Sequence, residues 1–162
     1  MAKLSLYSTD PTTSVEGLWF DFEAQSQVPL DAPHEKHICF RVARWNNPRF
    51  RAERVAVLER HRDTLEGNAM EAMRNATGKA MARAVVLDWC NIENEDGTTM
   101  AYSVEAAEKL LDDERYDQIR QFVLECATRV DLFRAQADEA AAGNSSPSST
   151  GTSVSPRSSI AS

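Results

Sequence analysis

Hydrophobic and polar positions change their spacing along this chain, and each change marks a predicted element. Leu18, Phe20, Phe22 and Ala24 alternate with Trp19, Asp21 and Glu23, the period of two expected of a strand with one buried face. Ile38, Phe40 and Val42 repeat the alternation, so strands are predicted over residues 18–24 and 37–43 as a β-ribbon. Residues 25–36, which include Pro29 and Pro33, form a connection longer than a hairpin turn. A two-stranded ribbon buries too little surface to stand alone, so it should lie on the helices that follow.

From Asn46-Asn47-Pro48 onward the period becomes three and four. Asn47 is placed to accept from the first-turn amides of a helix, and Pro48 at its first position loses nothing by lacking an N–H. This helix is predicted over 47–65, with Val55, Leu58 and Leu65 as its buried stripe, Phe50 and Val57 at the margin, and Gly67 as its stop. A second helix is predicted over 68–90, carrying Met70, Met73, Ala80, Met81, Ala84, Val85 and Trp89 on one broad apolar face. Gly78 inside it costs about 1 kcal/mol relative to alanine and predicts a bend or a close helix contact. Asp96-Gly97 signals a turn, and Ser103 caps a third helix over 103–112 with Val104, Ala107 and Leu111 inward. The fourth, over 114–141, carries Tyr116, Ile119, Phe122, Val123, Cys126, Val130, Phe133 and Ala137 as one sustained stripe.

The ends differ in composition. Residues 1–16, polar and containing Pro11, read as a flexible N-terminal arm, and residues 143–162, with nine serines, as a disordered tail. The expected class is therefore mainly α with a small N-terminal β-ribbon (α+β), with about four helices in a single domain over residues 17–142.

A hydrophobic fraction of 42% supports a folded core, whereas the net charge of -7 opposes attraction to nucleic acid or an anionic membrane. Three widely spaced cysteines, Cys39, Cys90 and Cys126, make no disulfide framework and predict free thiols in a reducing compartment. No run of 18 apolar residues and no signal-peptide core occurs, so a soluble, cytoplasmic protein is expected.

Candidate chemistry is sparse. His34, His37 and Cys39 have zinc-like spacing but lack a fourth ligand, and the bland reading is a polar strand edge. Asn94–Gly97 resembles the middle of a calcium loop, yet Ile92 and Ser103 stand where the first and twelfth ligands belong. There is no phosphate-binding glycine loop, nucleophile elbow or paired nucleophile and base, so no catalytic residue, cofactor or metal is expected and the chain reads as a non-enzyme. Charge is more informative: residues 41–65 hold seven arginines against three acids, and residues 88–117 ten acids against two bases. Such two-sidedness admits self-association or an oppositely charged partner. Arg49, Arg51 and Arg54 on the first helix, and Trp19 on the strand face opposite the apolar row, are the candidate partner-binding residues.

Gly17-Leu18-Trp19-Phe20, Phe40-Arg41-Val42-Ala43-Arg44 with Asn46-Asn47-Pro48, Val86-Leu87-Asp88-Trp89, Glu95-Asp96-Gly97 with Tyr102-Ser103, and Arg120-Gln121-Phe122-Val123 occur in this order. Together, over about residues 16–135, they resemble a family of phage tail assembly chaperones. Two features depart from that family: Asn91 where glycine is usual, and the long proline-containing connection between the strands. The resemblance implies a protein of the infected cell that binds the tape measure protein, keeps it soluble and helps recruit the tail tube protein, and that is absent from the mature virion. It also implies a longer, frameshifted form of the chain. The alternative is a structural or tail-completion component of the virion.

Overall fold

The computed structural model describes residues 8–29, 35–60, 62 and 69–134. It has α1 (Pro11–Glu16), β1 (Leu18–Asp21), β2 (Ser26–Val28), β3 (Cys39–Val42), α2 (Pro48–Arg60), α3 (Ala69–Ala84), β4 (Val86–Cys90), α4 (Val104–Asp112) and α5 (Asp117–Thr128). A 3-10 turn, Glu114–Tyr116, leads into α5. The strands form one antiparallel sheet in the order β2-β1-β3-β4, so the fold is α+β and mainly helical with a small sheet.

One face of the sheet makes the core. Leu18 pairs with Val42 and Val42 with Val86, while Phe20 pairs with Phe40 and Phe40 with Trp89, and all six are buried. Phe122 of α5 closes this face, its ring 6.3 Å from that of Phe40 and 5.2 Å from that of Phe22. Such tilted and edge-on aromatic contacts add to the burial of the rings themselves. Trp89 donates its indole N–H to the carbonyl of Met100 at 2.7 Å, and Tyr102 its hydroxyl to that of Val86 at 2.8 Å. The segment after β4 is thereby strapped back onto the strand it leaves.

The segment 43–47 ties the layers together. Ala43 N–H donates to Val85, Arg44 N–H to Ser14 and Trp45 N–H to Ala127, at 2.8, 3.0 and 2.8 Å. Asn47, buried, accepts from Phe50 N–H at 3.0 Å as the α2 cap and donates its amide to the carbonyls of Arg44 and Ala84 at 2.9 and 2.8 Å. One side chain thus joins the exit of β3, the start of α2 and the end of α3, which is more than the cap predicted for it.

Several boundaries differ from expectation, each for a physical reason. The predicted 68–90 helix stops at Ala84, and Val86–Cys90 is a strand. Met81, Val85 and Trp89 fit a helical stripe, but the β-branched and aromatic run also suits a strand, and β3 requires a partner on its second edge. The predicted strands over 18–24 and 37–43 shorten to Leu18–Asp21 and Cys39–Val42, and the loop read over 25–36 contains β2, three residues with no alternation long enough to see. The arm read over 1–16 contains α1, whose Asp10 cap accepts from Thr12 and Thr13 N–H with Pro11 in the first turn. Gly17 ends it at φ 75°, where a Cβ would lie 2.8 Å from the Val42 carbonyl carbon. No other residue fits so close an approach.

The helix read as continuous over 114–141 breaks at Arg129 and resumes over 130–134. The Ala127 carbonyl, which would accept from residue 131 in an unbroken helix, accepts from Trp45 N–H instead. In α2 the buried residues are Phe50 and Val57, not Val55, which is 54% exposed, nor the half-buried Leu58. Both stripes satisfy helical spacing, and the larger ring decides which one turns inward. Gly78 makes no close helix contact among the described residues, since nothing lies within 4 Å of a Cβ built there. The helical extensions toward residues 65, 68 and 141, Leu65, Gly67, His34 and the serine-rich tail lie outside the described residues.

Asn47→Ala should lower stability by about 2–3 kcal/mol, through loss of the cap and of two buried carbonyl contacts. Asn47→Asp should be no better, because it keeps the acceptor and loses both donors. Urea unfolding checks both variants.

The β1–β2 turn rests on Asp21, which is buried. Its Oδ1 accepts from Glu23 and Ala24 N–H at 2.9 and 2.8 Å, and its Oδ2 meets His37 Nδ1 at 2.8 Å. Burial raises the carboxyl pKa, but the amides and His37 together outweigh it and hold the group below its ordinary 3.8. A lowered folded pKa contributes stability that is fully present above the unfolded value and is lost as pH falls through the folded one. Asp21→Asn should therefore melt lower than the parent at pH 7, with the gap closing below about pH 3.8. Thermal melts between pH 7 and pH 2 measure this.

Candidate functional site

Arg49, Arg51 and Arg54 all lie exposed on α2, as their spacing predicts. Arg51 donates to the carbonyl of Asn46 at 3.4 Å, and Arg54 reaches across to α3, its Nη2 lying 3.5 Å from the sulfur of Met73. That contact joins the basic face of α2 to an apolar one. Met73 is 44% exposed, Met70, one turn earlier on α3, is 85% exposed, and Val55, beside Arg54, is 54% exposed. These are three of the five large hydrophobic residues that stand exposed among the described residues, the others being Leu124 and Val130.

The patch arises from the way α2 and α3 leave the sheet. Asn47 pins the start of α2 to the end of α3, so the helices are packed tightest near the sheet, and the buried α3 residues run from Ala76 to Ala84. Thirteen residues of α2 carry the other end of the pair about 20 Å away. Met70 and Met73 keep the apolar phase of α3 and are exposed among the described residues. Their spacing predicts a buried face for both, whereas the structure leaves them exposed, with Met73 against Arg54.

Trp19 is half-buried on the opposite sheet face from Leu18 and Phe20, in the row Trp19, Arg41, Asp88. It makes no hydrogen bond or ring contact with Arg49, Arg51 or Arg54 among the described residues. The four candidates therefore do not form one cluster: Arg54 meets Met73, Arg49 and Arg51 are exposed elsewhere on α2, and Trp19 stands on the sheet.

The acidic half of the chain gathers elsewhere. Glu93, Glu95, Glu105 and Asp113 line a groove of about 560 Å³ whose apolar wall includes Met100, Leu110 and Tyr116. Arg115 is committed there, to Asp113 at 2.7 Å and Glu95 at 2.9 Å. The loop likened to a calcium site is a turn that spends its oxygens on itself. Asp96 accepts from the amide and hydroxyl of Thr98 at 3.0 and 2.6 Å, and these bonds hold its pKa down. That turn joins a strand to α4, where the sequence suggested a link between two helices.

His37 is engaged by Asp21 at 2.8 Å and by Glu23 at 3.5 Å, and Cys39 is fully buried rather than on an exposed edge. No group of three or more histidines, cysteines or acids is placed to hold a metal among the described residues. The three cysteines stand as thiols, and burial pushes that of Cys126 up to about 12. Among the described residues no helix is long and apolar enough to cross a membrane.

No curated protein and no solved structure matches the chain. A family model does, over residues 45–144, and it is described as YdaY prophage protein. The matched span opens at Trp45, inside the 43–47 hub, and takes in α2, α3, β4, α4 and α5, while β1, β2 and β3 precede it. Because it covers more than half of the 162 residues, the chain belongs to the YdaY prophage protein family and is a phage-derived protein.

Proposed function

We propose that this prophage protein is a tail assembly chaperone, acting in the host cytoplasm without catalysis by holding the tape measure protein soluble until the tail tube protein assembles around it. The observation that carries the reading lies on α2 and α3: Val55, Met70 and Met73 are exposed, and Arg54 lies against Met73. A tape measure protein is long and helical, with apolar stripes flanked by charge. Methionine suits such a client, because its unbranched, polarizable side chain adapts to irregular apolar partners. Arginines at the rim favour acidic flanks and speed encounter more than they tighten the complex, which suits a contact that must later release. The phage origin and the order of sequence pieces shared with tail assembly chaperones support the same reading.

Co-expression with the tape measure gene of the same prophage should raise the soluble fraction of that protein and give a complex that co-purifies. The double variant Val55→Asp with Met73→Asp should reduce capture about tenfold or more while leaving the melting temperature within a few degrees, since both side chains are exposed. Unchanged client solubility with no complex would reject the chaperone reading. Persistence of the chain in purified virions would favour a structural tail component instead.

A further inference from the structure

Away from the methionine patch, α3, α4 and α5 enclose a cavity of about 340 Å³ whose lining includes neither Met70 nor Met73. Arg74 and Lys79 line it from α3, Arg120 from α5 and Lys109 from α4, where Lys109 also borders the acidic groove described above. Four cations from three helices thus converge in a chain of net charge -7. Of the two acids in the lining, Glu108 is held at 2.7 Å by Arg83, which leaves Asp112. The ion pairs of the four cations among the described residues are Arg74 with Glu114 at 3.9 Å and Arg120 with Asp117 at 2.6 Å; none involves Lys79 or Lys109.

Gly78 supplies a second, independent observation. It lines the same cavity, in the middle of a helix, where glycine is disfavoured against every residue but proline. The usual compensations are absent: its φ is not positive, and nothing packs within 4 Å of the position a Cβ would take. What the missing side chain leaves is open volume over the helix, between Arg74 and Lys79.

We propose that this cavity binds a small phosphate-bearing molecule, with Lys79 and Lys109 as its principal counter-charges and Gly78 as its floor. Phosphate is the anion that two lysines most readily share, through charge-assisted hydrogen bonds to several oxygens, while Arg74 and Arg120 already have carboxylate partners. The volume falls in the range of small-ligand sites. Glu114 and Asp117 pair with two of the cations and would repel the successive phosphates of a nucleic-acid strand, whereas a single phosphate need meet only the two lysines.

Isothermal titration of the full chain at low ionic strength with inorganic phosphate, pyrophosphate and adenosine 5′-monophosphate, in separate arms, tests this and distinguishes free phosphate from an ester. At least one arm should saturate at one site per chain with a Kd below about 1 mM. Gly78→Leu should weaken that binding more than about tenfold while the melting temperature holds or rises, because leucine is the better helix former. The pair Lys79→Ala with Lys109→Ala should lose about tenfold as well, and decides the matter if Gly78→Leu proves less stable. Absence of saturation in all three arms, parental affinity in both variants, or tighter binding of a single-stranded oligonucleotide than of any of the three would overturn the proposal. None of these outcomes depends on a tape measure protein, so this site and the chaperone reading stand or fall separately.

Discussion

Asn47 is the constraint on which the rest of the structure turns. A buried carboxamide has to satisfy one acceptor and two donor positions, and here each partner belongs to a different piece of chain: Phe50 in α2, Arg44 after β3, and Ala84 at the end of α3. Water cannot replace these partners at a buried site, so the three pieces are held in one arrangement or the side chain is left unsatisfied. The flanking backbone extends the same logic. Ala43, Arg44 and Trp45 donate to Val85, Ser14 and Ala127, so that α1, the α3–β4 junction and α5 all close on five consecutive residues.

That hub explains where the sequence was readable and where it was not. Caps and stops that act within a few residues were legible: Asn47 before Pro48, and Ser103 bonded to the amide of Ala106. The Asp10-Pro11 start and the Gly17 stop of α1 are equally local, but the segment between them has too little apolar content to suggest a buried element. Features decided by distant partners were not legible. β4 is a strand because β3 has an open edge beside it, and α5 ends at Thr128 because Trp45 takes the Ala127 carbonyl. Neither cause lies within ten residues of its effect.

The candidate surface was legible in the same uneven way. Arg49, Arg51 and Arg54 could be placed on an exposed helix face from charge alone. Val55, Met70 and Met73 could not, because periodicity reports a shared face and says nothing about whether another layer covers it. Trp19 illustrates the converse: alternation gave its side of the sheet correctly, yet the tryptophan is half-buried and stands apart from the arginines.

The hub and the patch are consequences of one geometry. Asn47 holds the start of α2 to the end of α3, and the buried residues of α3 run from Ala76 to Ala84, toward that end. A protein that needed only stability would place polar residues at exposed positions, since exposed apolar side chains add nothing to folding and invite association. This chain instead keeps Met70, Met73 and Val55 exposed, with Arg54 against Met73. Because the core is closed by Phe20, Phe40, Trp89 and Phe122, it does not depend on these exposed side chains. Their exposure is the reason the proposed client contact is placed here, whereas His37 and Cys39 beside Asp21 are held within the fold, the one by carboxylates and the other by burial.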